Sequence, residues 1–270
     1  MKKLLLLCTA TFLIFSCQDV VELDLNNADP RLVIDARVEL NEDGTTSAIV
    51  FLTRSADFYT EDNPTVNDAE VKITAADGTE HDFVNGNFGV YTNETLDVVE
   101  GVAYTLTILD QGNTYTSTEM LERTTPFIDI QQETIAGFGD DIVELTAFYN
   151  DPAGLGDYYL FSYEDEFNEQ TDVRDDEFFD GNIAPTIFFI EETEVGTEAT
   201  FSIRGIDQQC FEFYLKLLQQ SGEGDGGPFD APPATVRGNI VNETNEDRFP
   251  FGYFRISEVF ELEYTIQDMD

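Results

Sequence analysis

The chain carries 55 aspartates and glutamates, and whatever chemistry it does must be sought first among them. Against them stand 13 lysines and arginines, three cysteines and one histidine, His81. Two carboxylates flanking a glycosidic bond can act as acid and base, but no pair here is singled out by its spacing. Six to eight oxygens converging on one point can hold calcium. The oxygen-rich turns Asp140-Asp141, Asp151 with Asp157, and Asp175-Asp176 are candidates for that role. None follows the alternating ligand pattern of an EF-hand loop, and ordinary solvated turns are the simpler explanation. A lone histidine removes Ser-His, Cys-His and zinc chemistry as usually built. Ser221 to Gly227 is glycine-rich but lacks the Lys-Ser/Thr of a phosphate loop. Aromatics beside acids give a different candidate chemistry. Phe178 and Phe179, like Phe188-Phe189, could stack on sugar rings or dock a partner. Phe229, Pro232 and Pro233 could form an exposed recognition loop. Core packing and a rigid loop entry are the ordinary readings of these residues.

Cys17 stands in a context of its own. Met1-Lys2-Lys3 is a short positive segment, Leu4 to Phe15 is apolar, and Ser16 precedes the cysteine. Charge, a short apolar core and a small residue form a secretory signal over residues 1–16. The run is shorter than the roughly 20 apolar residues a membrane span needs. Leu13-Ile14-Phe15-Ser16-Cys17 is similar to a lipobox, in which the cysteine is diacylated and becomes the new N-terminus. Buried acyl chains, at about 0.8 kcal/mol per CH₂, would then hold the protein on a membrane. Cys8 leaves with the signal and Cys210 has no partner, so no intrachain disulfide is expected.

The formal net charge of −42 excludes nucleic acid as a partner, since such a surface repels phosphates. It also disfavours adsorption of the protein face to anionic headgroups. A cationic partner or bound cations would suit it, while solubility over a scattered acidic surface explains it more simply.

Hydrophobic residues at 41% suffice for a core, and 23 Phe with 11 Tyr lean toward β structure. After an acidic tether over 17–29, Leu32, Ile34, Ala36 and Val38 alternate with polar positions, as in a half-buried strand. Further strands are expected near 46–53, 70–74, 88–92, 102–109 and 113–119, punctuated by Asp77-Gly78 and Asp110-Gln111-Gly112 turns. Short strands at regular spacing predict a β-sandwich over 30–125. Thr124-Thr125-Pro126 marks the expected boundary. Strands near 127–135, 142–150, 157–164, 186–190 and 197–204 follow, with 164–180 left as a loop or edge hairpin. Phe211, Tyr214, Leu215 and Leu218 recur at helical spacing behind Asp207 as N-cap, predicting a helix at about 207–220. Two final strands, 251–257 and 259–266, should close the second sheet.

The C-terminal run Phe229-Asp230-Ala231-Pro232-Pro233-Ala234-Thr235-Val236-Arg237-Gly238-Asn239-Ile240, followed by Phe251-Gly252-Tyr253-Phe254, resembles a family of Bacteroidota lipoproteins known as domain of unknown function 4249. Leu32-Val33-Ile34-Asp35, Asp68-Ala69-Glu70-Val71 and Gly101-Val102-Ala103-Tyr104-Thr105-Leu106 agree with it in order. The resemblance implies an immunoglobulin-like or carboxypeptidase-regulatory-like β-sandwich, then a second β-rich domain with one helix. It also implies the company of TonB-dependent outer-membrane transporters. It supplies no activity and no catalytic residues. Asp19 and Glu22 behind Cys17 are similar to the export tag of surface-exposed lipoproteins in that phylum.

The expectation is therefore an all-β lipoprotein of the outer membrane. Its second domain, 126–270, would be a sandwich or partly open barrel. It would act without catalysis as a binding accessory of a TonB-dependent transporter, anchored through Cys17. It needs no cofactor, with calcium as the one candidate. A stand-alone adhesion or glycan-binding module is the alternative, and a carboxylate hydrolase a distant third.

Overall fold

The computed structural model describes residues 29–56, 63–135, 142–221 and 235–268. Strand β1 (Leu32–Leu40) buries Leu32, Ile34, Ala36 and Val38, following the period-two pattern. It turns through Asn41–Thr45 into β2 (Thr46–Arg54), where the Asp43 carboxylate accepts the Thr45 N–H. Then come β3 (Glu70–Ala75), β4 (Glu80–Asp82), β5 (Val84–Asn85), β6 (Val90–Asn93), β7 (Ala103–Asp110) and β8 (Asn113–Met120).

Thr124 to Pro126 leads to β9 (Phe127–Ile135), β10 (Ile142–Asn150), β11 (Tyr158–Glu164), β12 (Glu169–Asp175), β13 (Ile183–Ile190) and β14 (Glu198–Ile206). The acidic stretch left open by the sequence forms β12, an edge strand antiparallel to β11. Helix α1 (Gln208–Gln220) starts at Asp207, whose carboxylate accepts the Cys210 N–H at 2.7 Å. The chain closes with β15 (Val241–Asn242) and β16 (Phe251–Thr265).

Three sheets result. One has eight strands, in the order β12-β11-β14-β16-β1-β2-β6-β5; the others are β13-β10-β9 and β15-β8-β7-β3-β4. They enclose two cores. The first gathers Ile34, Val50, Ile73, Leu106 and Ile108; the second is aromatic, with Tyr149, Tyr159, Phe161, Tyr163 and Phe201. These are two β-sandwiches, and no sheet closes into a barrel.

The last strand departs from expectation. Instead of two strands closing the second sheet, β16 is one strand of 15 residues. Its first half pairs parallel with β1 (Val33 with Phe251 through Leu40 with Glu258); its second half pairs antiparallel with β14. Residues from the expected second domain thus sit in the first sandwich: Ile240, Phe254 and Ile256 belong to its core, and β15 pairs with β8. The inward positions of β16 are Phe254, Ile256, Glu258, Phe260 and Leu262. Glu258 interrupts the apolar series where the strand passes from one core to the other. There it accepts the Thr124 N–H and pairs with Arg123. Gly205 completes this joint, because a Cβ there would collide with the Arg123 carbonyl.

Helix α1 packs on the outer face of the long sheet rather than inside a sandwich. Its deepest residues are Cys210 and Phe213, against Leu160, Val173, Ile206 and Tyr253, with Phe211, Tyr214 and Leu218 half-buried. Leu215, expected on the apolar face, is exposed.

Candidate functional site

Two loops at one end of the second sandwich bring carboxylates together. The first, 151–157, leaves β10, and the second, 176–182, leaves β12. A main-chain bond ties them, the Asp151 N–H donating to the Asn182 carbonyl, and the second loop closes on itself through the Asp180 N–H on the Asp176 carbonyl. Carboxylate oxygens of Asp151, Asp176 and Asp180 lie within 4.8 Å of one another. Asp151 and Asp176 are only 5% and 4% exposed, while Asp180 faces solvent.

Each carboxylate is held by donors. Asp151 accepts the Tyr159 hydroxyl at 2.6 Å and the Gly181 N–H at 2.9 Å. Asp176 accepts the N–H groups of Gly156 and Asp157, and Asp180 that of Gly154. No lysine or arginine forms an ion pair with any of the three among the described residues. Two such charges repel by about 3 kcal/mol at an effective dielectric constant near 20. Burial, then the charges of Asp151, Asp176 and Asp180, push the neighbouring Asp157 carboxyl above its ordinary range. Oxygens on opposite sides of calcium, each about 2.4 Å from it, stand roughly 4.8 Å apart, so the spacing suits that ion.

Of the sequence candidates for calcium, Asp151 is a member of this cluster and Asp157 borders it. Asp140 and Asp141 lie outside the described residues. Asp176 falls in one of the turns singled out by its oxygen content. Asp180 was not singled out, although Asp180-Gly181-Asn182 reads as a turn and Gly181 adopts φ +70°. Phe178 projects from the same loop, 82% exposed, and Leu155 from the facing loop, 71% exposed. Phe179 packs against the second core instead. Phe188 is buried and Phe189 half exposed. Phe229, Pro232, Pro233 and Cys17 lie outside the described residues.

A second group of acids sits at the joint of the sandwiches. Burial raises Glu119 to about 7, helped by Asp207 and Glu122 and opposed by the Asn239 side chain, which donates to it at 2.6 Å. A third polar group lies beside α1. Glu39 takes the Arg255 guanidinium at 2.7 Å and Arg204 at 2.8 Å on the same oxygen, and Arg204 also donates to Ser162. Beyond Arg204 an open groove of about 510 Å³ is lined by Ser162, Ser202 and Thr200 with Glu164, Glu198, Glu261 and Glu263. His81 stands on β4 opposite Ile73. Cys210 is buried, its thiol driven far above its ordinary range by burial. No helix among the described residues is long and apolar enough to cross a membrane.

Comparison with known proteins adds the following. A family described as "Domain of unknown function (DUF4249)" matches residues 18–263. No curated protein matches. Solved structures with some likeness include a cytokine receptor complex, with TM-score 0.26, 12% identity, and 66% of this chain and 85% of that one covered. A two-domain fibronectin type-III segment of chicken tenascin gives TM-score 0.20, 15% identity, and 67% and 92% coverage. The chicken interferon gamma receptor alpha chain gives 0.19, 8%, and 67% and 90%. The two-sandwich architecture rests on the chain's own strand pairing, not on these likenesses.

Proposed function

The chain belongs to the DUF4249 family, and we propose that it is a cell-envelope lipoprotein that works by binding, as an accessory to a TonB-dependent outer-membrane transporter. Lipidation of Cys17 after removal of 1–16 would tether two sandwiches to the outer membrane, leaning toward the cell surface. The observation that carries the reading is the openness of the polar sites. The groove beside Arg204 is open, and the loop cluster meets solvent through Asp180 above the buried Asp151 and Asp176, rather than within an enclosed cleft. Neither the His81 ring nor the Cys210 thiol has a carboxylate hydrogen bond among the described residues that would make a nucleophile–base pair.

The test is affinity purification of the tagged lipoprotein from detergent-solubilised native membranes, with identification of what accompanies it. A TonB-dependent transporter in stoichiometric amount supports the reading. Recovery of the lipoprotein alone, with uptake unchanged when the gene is lost, defeats it. The second reading, a stand-alone glycan-binding module, is favoured by exposed Phe178 beside the Asp176–Asp180 loop, an aromatic face next to acids that can accept sugar hydroxyls. Binding to immobilised polysaccharides without any transporter, lost in Phe178→Ala, would support it.

A further inference from the structure

The handover of β16 from β1 to β14 leaves one side of its second half without a strand. β1 ends at Leu40, opposite Glu258, and β14 covers the other side from Val259 onward. The direction of each backbone group follows from its neighbours. Ile266 gives its N–H to Thr197 and Glu258 its N–H to Glu122, so even-numbered residues bond on the β14 side. Val259, Glu261 and Glu263 therefore aim their N–H and C=O groups the opposite way. The Leu40 carbonyl, at the last pair of the β1 ladder, takes the Val259 N–H; no partner strand meets the Val259 carbonyl or the N–H and C=O groups of Glu261 and Glu263 among the described residues.

Several of the other edges are blunted. β4, β5 and β15 are two or three residues long. β13 carries Pro185, and its edge carbonyls at Pro185 and Phe189 accept from Arg174 and Gln170 of β12. The Gln132 side chain of β9 is bonded to the Gln267 backbone and to Tyr264. Beside the open stretch of β16 lies a groove of about 340 Å³ lined by Asn41, Glu42, Asp43, Val259 and Glu261.

We propose that this edge, from Val259 to Glu263, receives an extended segment of a partner protein by strand addition, with lysine or arginine at alternate positions of that segment. Backbone pairing would supply affinity, continuing the line of β1 over about 13 Å. Charge selects the occupant. Glu42, Asp43, Glu261 and Glu263 surround the edge, and the whole chain carries −42. A second copy of this chain would set Glu261 and Glu263 against themselves, and like charges across strands destabilise. The chain's own residues 18–28 hold Asp19, Glu22 and Asp24 and no basic residue. The inference does not depend on the transport reading, because the partner is defined by its chemistry alone.

The experiment uses the full chain in non-ionic detergent and a labelled, end-blocked seven-residue peptide, Thr-Lys-Val-Lys-Val-Lys-Thr, with glutamate in place of lysine as control. The lysine peptide should bind at least tenfold tighter than the control. It should slow hydrogen exchange at least tenfold at the amides of Glu261 and Glu263, leaving those of Val259, Phe260 and Leu262 unchanged. Glu261→Pro removes an N–H that bonds nothing among the described residues. It should keep the melting temperature and lose binding at least tenfold; if it fails to fold, Glu261→Lys, which leaves the backbone intact, should show the same loss. Equal binding of both peptides, binding without amide protection, or a dimer that already occupies the edge would overturn the proposal.

Discussion

Replacing Glu39 by glutamine should cost the fold about 3 kcal/mol at neutral pH. One oxygen of Glu39 accepts from Arg255 at 2.7 Å and from Arg204 at 2.8 Å. Burial alone would push this carboxyl up, but the two guanidinium groups outweigh it and hold it at about 2, against an ordinary value of 4.5. Each pKa unit corresponds to about 1.4 kcal/mol, which gives the figure of about 3 kcal/mol. Arg255 sits fully enclosed between α1 and the sheet. Among the described residues its Nε and Nη1, like the Ser257 hydroxyl, meet no hydrogen-bond partner, so Glu39 is the compensation for a buried cation. The sign follows from a depressed pKa: the stabilisation is fully present above about 4.5 and is lost as pH falls through 2. Denaturant unfolding of the wild type and Glu39→Gln at pH 7 and pH 3 measures it. The difference should be about 3 kcal/mol at pH 7, a fall in melting temperature of roughly 6–12 °C, and less than half as much at pH 3. A loss below about 1 kcal/mol at pH 7, or a difference unchanged between the two pH values, would refute the assignment of Glu39 as counter-charge.

Glu119 titrates with the opposite sign. Its pKa is raised to about 7, so stability should decline as pH rises from about 4.5 to 7 and level off above. Glu119→Gln should gain about 1 kcal/mol at pH 8, after discounting for its partial exposure, and nothing at pH 4, read by urea midpoints. In calcium-free buffer Asp180→Asn should raise the melting temperature by relieving repulsion with Asp151 and Asp176. Millimolar calcium should raise that of the wild type but not of this variant, which calorimetry with and without chelator decides. Gly205→Ala should destabilise by about 1–3 kcal/mol, because its Cβ meets the carbonyls of Arg123 and Glu122 at the joint; a neutral result in thermal unfolding would place the linker less tightly than described.

The strands were legible because their signal is local. The alternation in Leu32–Leu40, the Asp77-Gly78 turn and the helix behind Asp207 each declare themselves within a dozen residues. The partner of a strand is not local. Nothing within Phe251–Thr265 says that its first half lies parallel to β1, some 218 residues earlier, and its second half against β14. The interruption at Glu258 reads as the end of a strand, since a carboxylate in an apolar series normally is one. Only the approach of Thr124 and Arg123 makes it tolerable. The helix face is legible in part: Phe211, Tyr214 and Leu218 pack where helical periodicity puts them, while Leu215 is exposed and the sheet beneath meets Cys210 and Phe213 most deeply. The loop cluster was half legible: acid-rich turns around Asp151 and Asp176 were visible, whereas their convergence with Asp180 depends on where β10 and β12 end.

That same strand explains why this chain can be so acidic and still hold two cores in fixed register. Self-repulsion at −42 favours expansion, and two sandwiches joined by a simple linker could separate to relieve it. Here separation would require breaking a continuous ladder, since β16 contributes apolar side chains to both cores and hydrogen bonds to both β1 and β14. Three arginines serve this joint: Arg123 on Glu258, and Arg204 and Arg255 on Glu39. The buried carboxylates at the joint are thus neutralised where the two halves meet, while much of the excess negative charge is left on the outer faces and loops, where solvent screens it and a cationic partner can reach it.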